Sequence, residues 1–199
     1  MEPALALAGL LECEYDSIQL NGHSCSQRDL SRPNRMGLVL PFSVAENFIL
    51  ESYRDETFAK KGFLRYRIIE EHSQQLVQKF RVRVASVDKE IAHLSGGNQQ
   101  KVVVARELDR KPSFLLVNQP TRGIDIGATE FVRQQILAQR DVGTTVLLIS
   151  NDLEEIFALG DRILIMYEGQ IMGKVPADHR LIEQVGLMMA GKRVEQTQT

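Results

Sequence analysis

The chain has 199 residues, 43% of them hydrophobic, and a formal net charge of −2. That length supports one domain with a sizeable core, and the near-balanced charge gives no global nucleic-acid footprint. No apolar run reaches the roughly 18 residues of a membrane span, and Pro3 to Leu11 is short and has no basic flank to make a secretory signal.

Ala4 to Leu11 reads as the tail of a helix. Tyr15 to Leu20 alternates enough for a strand, and Asn21-Gly22 is a turn. Gln27 to Arg35 is polar, contains Pro33 and reads as a loop. Ser43 with Glu46 forms a capping box that predicts a helix to about Tyr53. Arg54 to Gly62 is a charged connection. Arg65 to Phe80 is predicted as a second helix, with Tyr66, Ile69, Leu76, Val77 and Phe80 on one side. Gln99 to Arg110 is a third, buried along Val102-Val103-Val104-Ala105 and Leu108. Phe114 to Val117 is a buried-type strand. Gly127 to Asp141 is amphipathic, with Ala128, Phe131, Val132 and Ile136 in register. Thr145 to Ser150 is a second buried strand, and Asp152 caps a short helix through Ala158. Ile163 to Tyr167 and Gln170 to Lys174 form a hairpin about Glu168-Gly169. Asp178 to Ala190 is a terminal helix, followed by a frayed tail. Strand and helix alternation after residue 96 argues for a parallel α/β core. Cys13 and Cys25 lack C-x-x-C spacing and read as free cytosolic thiols. His23, His72, His93 and His179 show no metal-ligand spacing and read as surface or structural residues.

One octapeptide carries chemistry: Leu94-Ser95-Gly96-Gly97-Asn98-Gln99-Gln100-Lys101. A serine and two glycines at a helix start leave backbone N–H groups unpaired, and those groups with the helix dipole favour an anion. The glycines let a phosphate approach the backbone closely. The plain alternative for a bare S-G-G is an ordinary N-cap after a loop. About twenty residues on stands Phe114-Leu115-Leu116-Val117-Asn118-Gln119-Pro120-Thr121, laid out as a nucleotide-hydrolysis strand with an amide where each acid should be.

The octapeptide, followed by Pro120-Thr121-Arg122-Gly123-Ile124-Asp125, resembles the nucleotide-binding subunits of ABC transporters. The G-N-Q-Q-K and T-R-G-I-D forms are similar to those of sugar and nucleoside importers whose ATPase carries two such domains in one chain. Gly37 to Asn47 is similar to the same group. The likeness runs from about Ala4 to Lys192 and is best with the second nucleotide-binding domain. It implies an α/β fold: an incomplete ABC-type P-loop NTPase core with a parallel sheet, a small antiparallel β part and a helical subdomain. The expected division is a remnant of the N-terminal core over 1–37, a helical subdomain over 38–95, an α/β core over 96–175 and a C-terminal helix and tail over 176–199.

Several departures from that pattern matter. The family's G-x-x-x-x-G-K-[ST] phosphate loop has no counterpart string in this sequence. The nearest, Gly169-Gln170-Ile171-Met172-Gly173-Lys174-Val175, has its glycines one residue too close and valine for the hydroxyl, and it falls in the predicted hairpin. Relative to the family the chain therefore reads as N-terminally truncated. Asn118 and Gln119 stand where the family commonly has an Asp that organises Mg²⁺ and a Glu that polarises the attacking water. Gln119 cannot accept a proton as a general base, a loss of roughly 10²–10⁴ in rate. Asn151 follows the second strand where active members carry a histidine. Gln19 and Gln27 take no role, because Ser26 to Arg35 does not match the family's glutamine loop.

The resemblance implies ATP and Mg²⁺ at a composite site, with two domains head to tail and the signature of one capping the ATP of the other. Ser95, Gly96, Gly97 and Gln99 are the candidate ATP contacts in trans, and Asp125 the candidate dimer-interface residue, with an N-cap role as its plain alternative. Arg122 reads as an interface or structural residue. The degenerate positions Asn118, Gln119 and Asn151 leave the chain alone expected inactive. The expected partners are another nucleotide-binding domain, transmembrane permease subunits and, indirectly, a solute-binding protein, at the cytoplasmic face of the plasma membrane. The other readings are a non-hydrolysing regulatory or interaction module and a truncated product without function. A nucleic-acid-repair ATPase would need a long coiled-coil insertion before the signature, and none is present.

Overall fold

The computed structural model describes residues 37–192 and the backbone of 18–20 and 23–25. The Ala4–Leu11 helix tail, the Asn21-Gly22 turn, the Gln27–Arg35 loop and the C-terminal tail lie outside the described residues. Of the predicted first strand, β1 (Ile18–Leu20) is described, antiparallel to β2 (His23–Cys25). The chain divides into two compact units at the Leu147/Leu148 boundary.

In the first unit, Ser43 caps helix α1 (Val44–Phe48) through the expected box. Its hydroxyl oxygen accepts from the Glu46 N–H at 3.1 Å, and its own N–H donates to the Glu46 carboxylate at 2.7 Å. The helix stops well before Tyr53. The Ser52, Asp55 and Phe58 N–H groups each donate three residues back, to Ile49, Ser52 and Asp55, so successive turns replace the helical ladder. Asn47 is fully buried. Its amide accepts from the Val39 N–H and donates to the Val39, Phe42 and Ser43 carbonyls, so it ties the preceding loop to α1.

The charged connection contains a hairpin the sequence did not announce: β3 (Ala59–Lys60) antiparallel to β4 (Phe63–Leu64). Lys61 and Gly62 both have positive φ, 52° and 84°, the requirement of a tight two-residue hairpin turn. Helix α2 (Tyr66–Lys79) buries Ile69, Ser73 and Leu76. Tyr66, expected on that face, is 73% exposed. It sits in the first turn, where side chains lean back toward the helix start and here pass the end of the core.

A 3₁₀ turn (Ile91–His93) leads into helix α3 (Gly96–Asp109), which starts three residues earlier than predicted and takes both glycines into its first turn. Val44, Phe48, Leu76, Phe80, Val82, Ile91, Val102, Ala105 and Leu108 form one core that joins α1, α2 and α3. Each of these side chains except Ala105 is worth about 1.5–3 kcal/mol of transfer free energy, so together they outweigh any single cap. Ala45, Ile49, Phe58, Ile69 and Val87 make a second cluster.

Strand β5 (Phe114–Asn118), helix α4 (Ile126–Asp141) and strand β6 (Thr145–Ile149) follow in order, with β5 and β6 neighbours in the parallel sheet. Both strands were expected to be buried. They are half-buried instead, because among the described residues each has one strand neighbour, and the sheet covers less of itself than a wider one would. Helix α4 buries Ala128, Val132 and Ile136 as its period requires, and Phe131 meets Phe80 edge-on at 6.5 Å.

In the second unit, Asp152 caps helix α5 (Leu153–Leu159) as predicted. Strand β7 (Arg162–Tyr167) pairs antiparallel with β8 (Gln170–Pro176) around Glu168 and Gly169. A 3₁₀ turn (His179–Leu181) opens helix α6 (Ile182–Met189). Phe157, Ile163, Ile165, Val175, Val185 and Met188 form its core. The Gly169–Val175 string lies in this hairpin, with Gly173 paired to Ile165, so it is no strand–loop–helix and cannot cradle a phosphate.

Candidate functional site

The start of α3 carries the residues that the sequence singled out for anion chemistry. Ser95 is its N-cap, exposed, with extended backbone (φ −61°, ψ 153°). Its side chain does not cap the helix. Instead its Oγ accepts a hydrogen bond from the Asn98 amide at 2.9 Å, which leaves the hydroxyl hydrogen to donate outward. The Asn98 oxygen in turn accepts from the Arg83 N–H at 2.8 Å. The first-turn N–H groups have no intrahelical acceptors, and their partial positive charge is directed past Ser95.

The two glycines do different work. A Cβ added at Gly96 would meet nothing within 4 Å. The backbone there is open to a neighbour from outside the chain's described residues. Gly97 is buried, and a Cβ there would stand 2.6 Å from Asp125 Oδ2 and 2.9 Å from the Ala128 Cβ. Glycine at 97 is therefore a packing requirement, which lets α3 touch the start of α4.

Asp125 is the N-cap of α4, its Oδ1 accepting from the Ala128 N–H at 2.9 Å. The cap role considered from the sequence is thus present, and the same carboxylate lies against the signature glycine. Gly123, at φ 75°, makes the turn that brings Asp125 there. Arg122 is exposed, its N–H bonded to the Gln119 carbonyl at 3.2 Å.

Gln99 lies further into the fold. Its amide nitrogen donates to the Ile91 and Leu94 carbonyls, each at 3.1 Å, and holds the entry loop to the helix. Lys101 donates to the Arg81 carbonyl at 3.1 Å and stands 5.0 Å over the Phe131 ring. Asn98, Gln99 and Lys101 therefore build the loop that presents Ser95 and Gly96.

Asn118 is exposed at the end of β5, and Gln119 follows with φ 51°. Neither side chain carries a charge, so this strand end offers no carboxylate to Mg²⁺ and no base to a water. Asn151 is exposed between β6 and Asp152, in the second unit. Among the described residues, no group of three His, Cys, Asp or Glu side chains could hold a metal ion. His72 pairs with Asp109 at 3.0 Å, and His179 stacks on Phe157.

Two residues of this corner escaped sequence reasoning. Asn98 bridges Arg83 to Ser95, a link made between residues fifteen apart. Ile126, next to Asp125, is 89% exposed. An isoleucine inside D-I-G between two polar stretches was the available signal.

The fold and this corner define a nucleotide-binding cassette. The dimeric structure of MJ0796, a bacterial ABC transporter cassette, superposes with a TM-score of 0.70 at 17% identity, over 89% of this chain and 80% of that one. The chain belongs to the ABC transporter family, whose pattern matches residues 4–122. The nucleoside import ATP-binding protein NupA of Lactococcus lactis is 37% identical over 206 residues, covering 96% of this chain and 40% of the relative. The glucose import ATP-binding protein TsgD13 of Haloferax volcanii is 42% identical over 160 residues, covering 79% of this chain and 29% of the relative. The chain thus spans two fifths or less of the length of these relatives. No helix among the described residues is long and apolar enough to cross a membrane.

Proposed function

We propose that this chain is an ATP-binding component of an importer for nucleosides or sugars, and that it lends its signature helix to an ATP held by a partner cassette. The observation that carries this is the corner at α3. Ser95 and Gly96 face outward with open space before them, while Gly97 and Asp125 are locked together behind. The donor set fits a phosphate: one hydroxyl and several helix-start N–H groups, with no side chain in the way. It does not fit a self-sufficient hydrolytic site, since Asn118 and Gln119 supply neither negative charge nor a base. ATP binding supplies the free energy of domain closure. This chain's part is to cap the terminal phosphates and exclude water from them. Mg²⁺ and the base come from the partner. Ile126 is the exposed apolar contact of that interface. The permease subunits and the cytoplasmic membrane face follow from the importer reading.

The test is ATP turnover by the full chain alone and then mixed with an intact importer cassette. The expected result is silence alone and turnover that rises in the mixture, lost again with Ser95→Ala. Turnover by the chain alone would overturn the assignment, as would a mixture indifferent to Ser95. Turnover unchanged by the chain altogether would favour a regulatory module.

A further inference from the structure

The β3–β4 hairpin carries a second surface, separate from the nucleotide corner. Between Lys60 and Arg67 the sequence reads Lys-Lys-Gly-Phe-Leu-Arg-Tyr-Arg: four cations interleaved with two aromatics and a leucine, and no acid. Every residue of the stretch is exposed. Phe63 is 79% exposed at the hairpin's edge, near the 73% exposed Tyr66. Local folding does not call for these residue types. The turn needs the positive φ of Lys61 and Gly62, while a phenylalanine in water is a standing cost.

The hairpin is also held firmly. Phe58, just before β3, is buried in the cluster with Ala45, Ile49, Ile69 and Val87. Its carbonyl accepts from the Arg65 N–H at 2.8 Å, and Arg65 Nη1 donates to the Thr57 carbonyl at 3.2 Å. Acids return nearby, but Glu71 is paired with Arg67 at 3.0 Å and Glu70 accepts from Gln74. Lys60 and Lys61, on the turn itself, are exposed.

We propose that this hairpin is a contact surface for an anionic phospholipid bilayer, Phe63 and Tyr66 entering the headgroup layer while Lys60 and Lys61 meet its phosphates. Stable membrane attachment takes two signals, an apolar one and a basic one, and both are present within eight residues. Aromatic rings with a polar rim suit the interface, and lysine stems can lie along the apolar layer with their charge in water. A nucleic acid shares the charge of such a bilayer, but the exposed Phe63 and Leu64 beside the lysines match the acyl boundary of a bilayer better than a phosphate backbone.

The chain contains no tryptophan. Phe63→Trp therefore gives a single reporter on the full-length protein. Its emission should shift to the blue on addition of phosphatidylglycerol vesicles and stay unchanged with phosphatidylcholine. In co-sedimentation, Lys60→Gln with Lys61→Gln should weaken binding about thirtyfold, about fivefold per cation removed. Raising salt from about 0.1 M to 1 M should release the protein, as the screening length falls from about 10 Å to 3 Å. Circular dichroism of the variants checks that they fold. Vesicle binding that is absent, or indifferent to Lys60, Lys61 and Phe63, would overturn the proposal. Binding to oligo-dT or polyglutamate in place of vesicles would overturn it equally and reassign the surface.

Discussion

Replacing Gly97 by alanine inserts one methyl group at the joint between α3 and α4. It would lie 2.6 Å from Asp125 Oδ2 and 2.9 Å from the Ala128 Cβ, closer than such atoms approach. Alanine gains up to about 1 kcal/mol over glycine inside a helix. Against that, overpacking costs typically 1–3 kcal/mol. If Asp125 rotates away it also gives up its cap bond to the Ala128 N–H, about 1 kcal/mol. The net expectation is a loss of about 1–3 kcal/mol, with the melting temperature falling roughly 2–4 °C per kcal/mol for a chain of this size. Urea unfolding reads the loss as a lower midpoint at constant slope. Gly96→Ala is the control, since its methyl meets nothing within 4 Å. It should leave stability unchanged or slightly raised and yet, on the proposed role, depress the partner's ATPase, because the methyl would fill the space proposed for phosphate. Adding Asp125→Ala to Gly97→Ala should cost less than the separate losses combined, since the carboxylate clash goes. A Gly97→Ala protein as stable as the parent, or a Gly96→Ala protein less stable than Gly97→Ala, would refute the packing argument.

Other outcomes follow from the same contacts. Gln99→Ala removes two hydrogen bonds to the Ile91 and Leu94 carbonyls and should cost about 1–3 kcal/mol in chemical denaturation; no change would mean the entry loop stands without it. Asn47→Leu strands the Val39 N–H and takes one of two donors from each of the Val39, Phe42 and Ser43 carbonyls, and should destabilise by about 1–3 kcal/mol, the cost of one buried unpaired group; a neutral outcome in thermal unfolding would contradict the burial seen here. The Arg180 side chain, then its N–H, hold the Asp178 carboxyl below its usual 3.8 to about 2. Because the folded value is the lower one, this cap adds stability above about pH 4 and loses it as pH falls through about 2. A carboxyl NMR titration should show that midpoint, and Arg180→Gln should return it upward; an ordinary midpoint in the parent would refute the pairing.

The long periodic segments were legible before any coordinates. The amphipathic run ending in Lys79, the Ser43–Glu46 box, the Asp125 and Asp152 caps and the Glu168-Gly169 hairpin each rest on local chemistry that survives in the fold. The hairpin at Ala59–Leu64 was not legible, because two-residue strands are too short to show a period. Tyr66 was misplaced because helical spacing gives a face but not where the core ends. The half-buried state of β5 and β6 depends on how many strands flank them, which no single strand encodes. In the candidate site, the residue types suggested the chemistry now proposed. What they could not name was the division of labour between Gly96 and Gly97, since that depends on α4 arriving at the same point from a distant part of the chain.

The Gly97–Asp125 contact has an electrostatic consequence. It brings two helix N-termini within one side chain of each other, each with roughly half a unit of positive charge. The Asp125 carboxylate stands between them as a built-in counter-ion. On the proposed role, an anion arriving at Ser95 and Gly96 would be drawn by the helix ends and opposed by that carboxylate. Its affinity would then depend on where the Asp125 carboxylate stands.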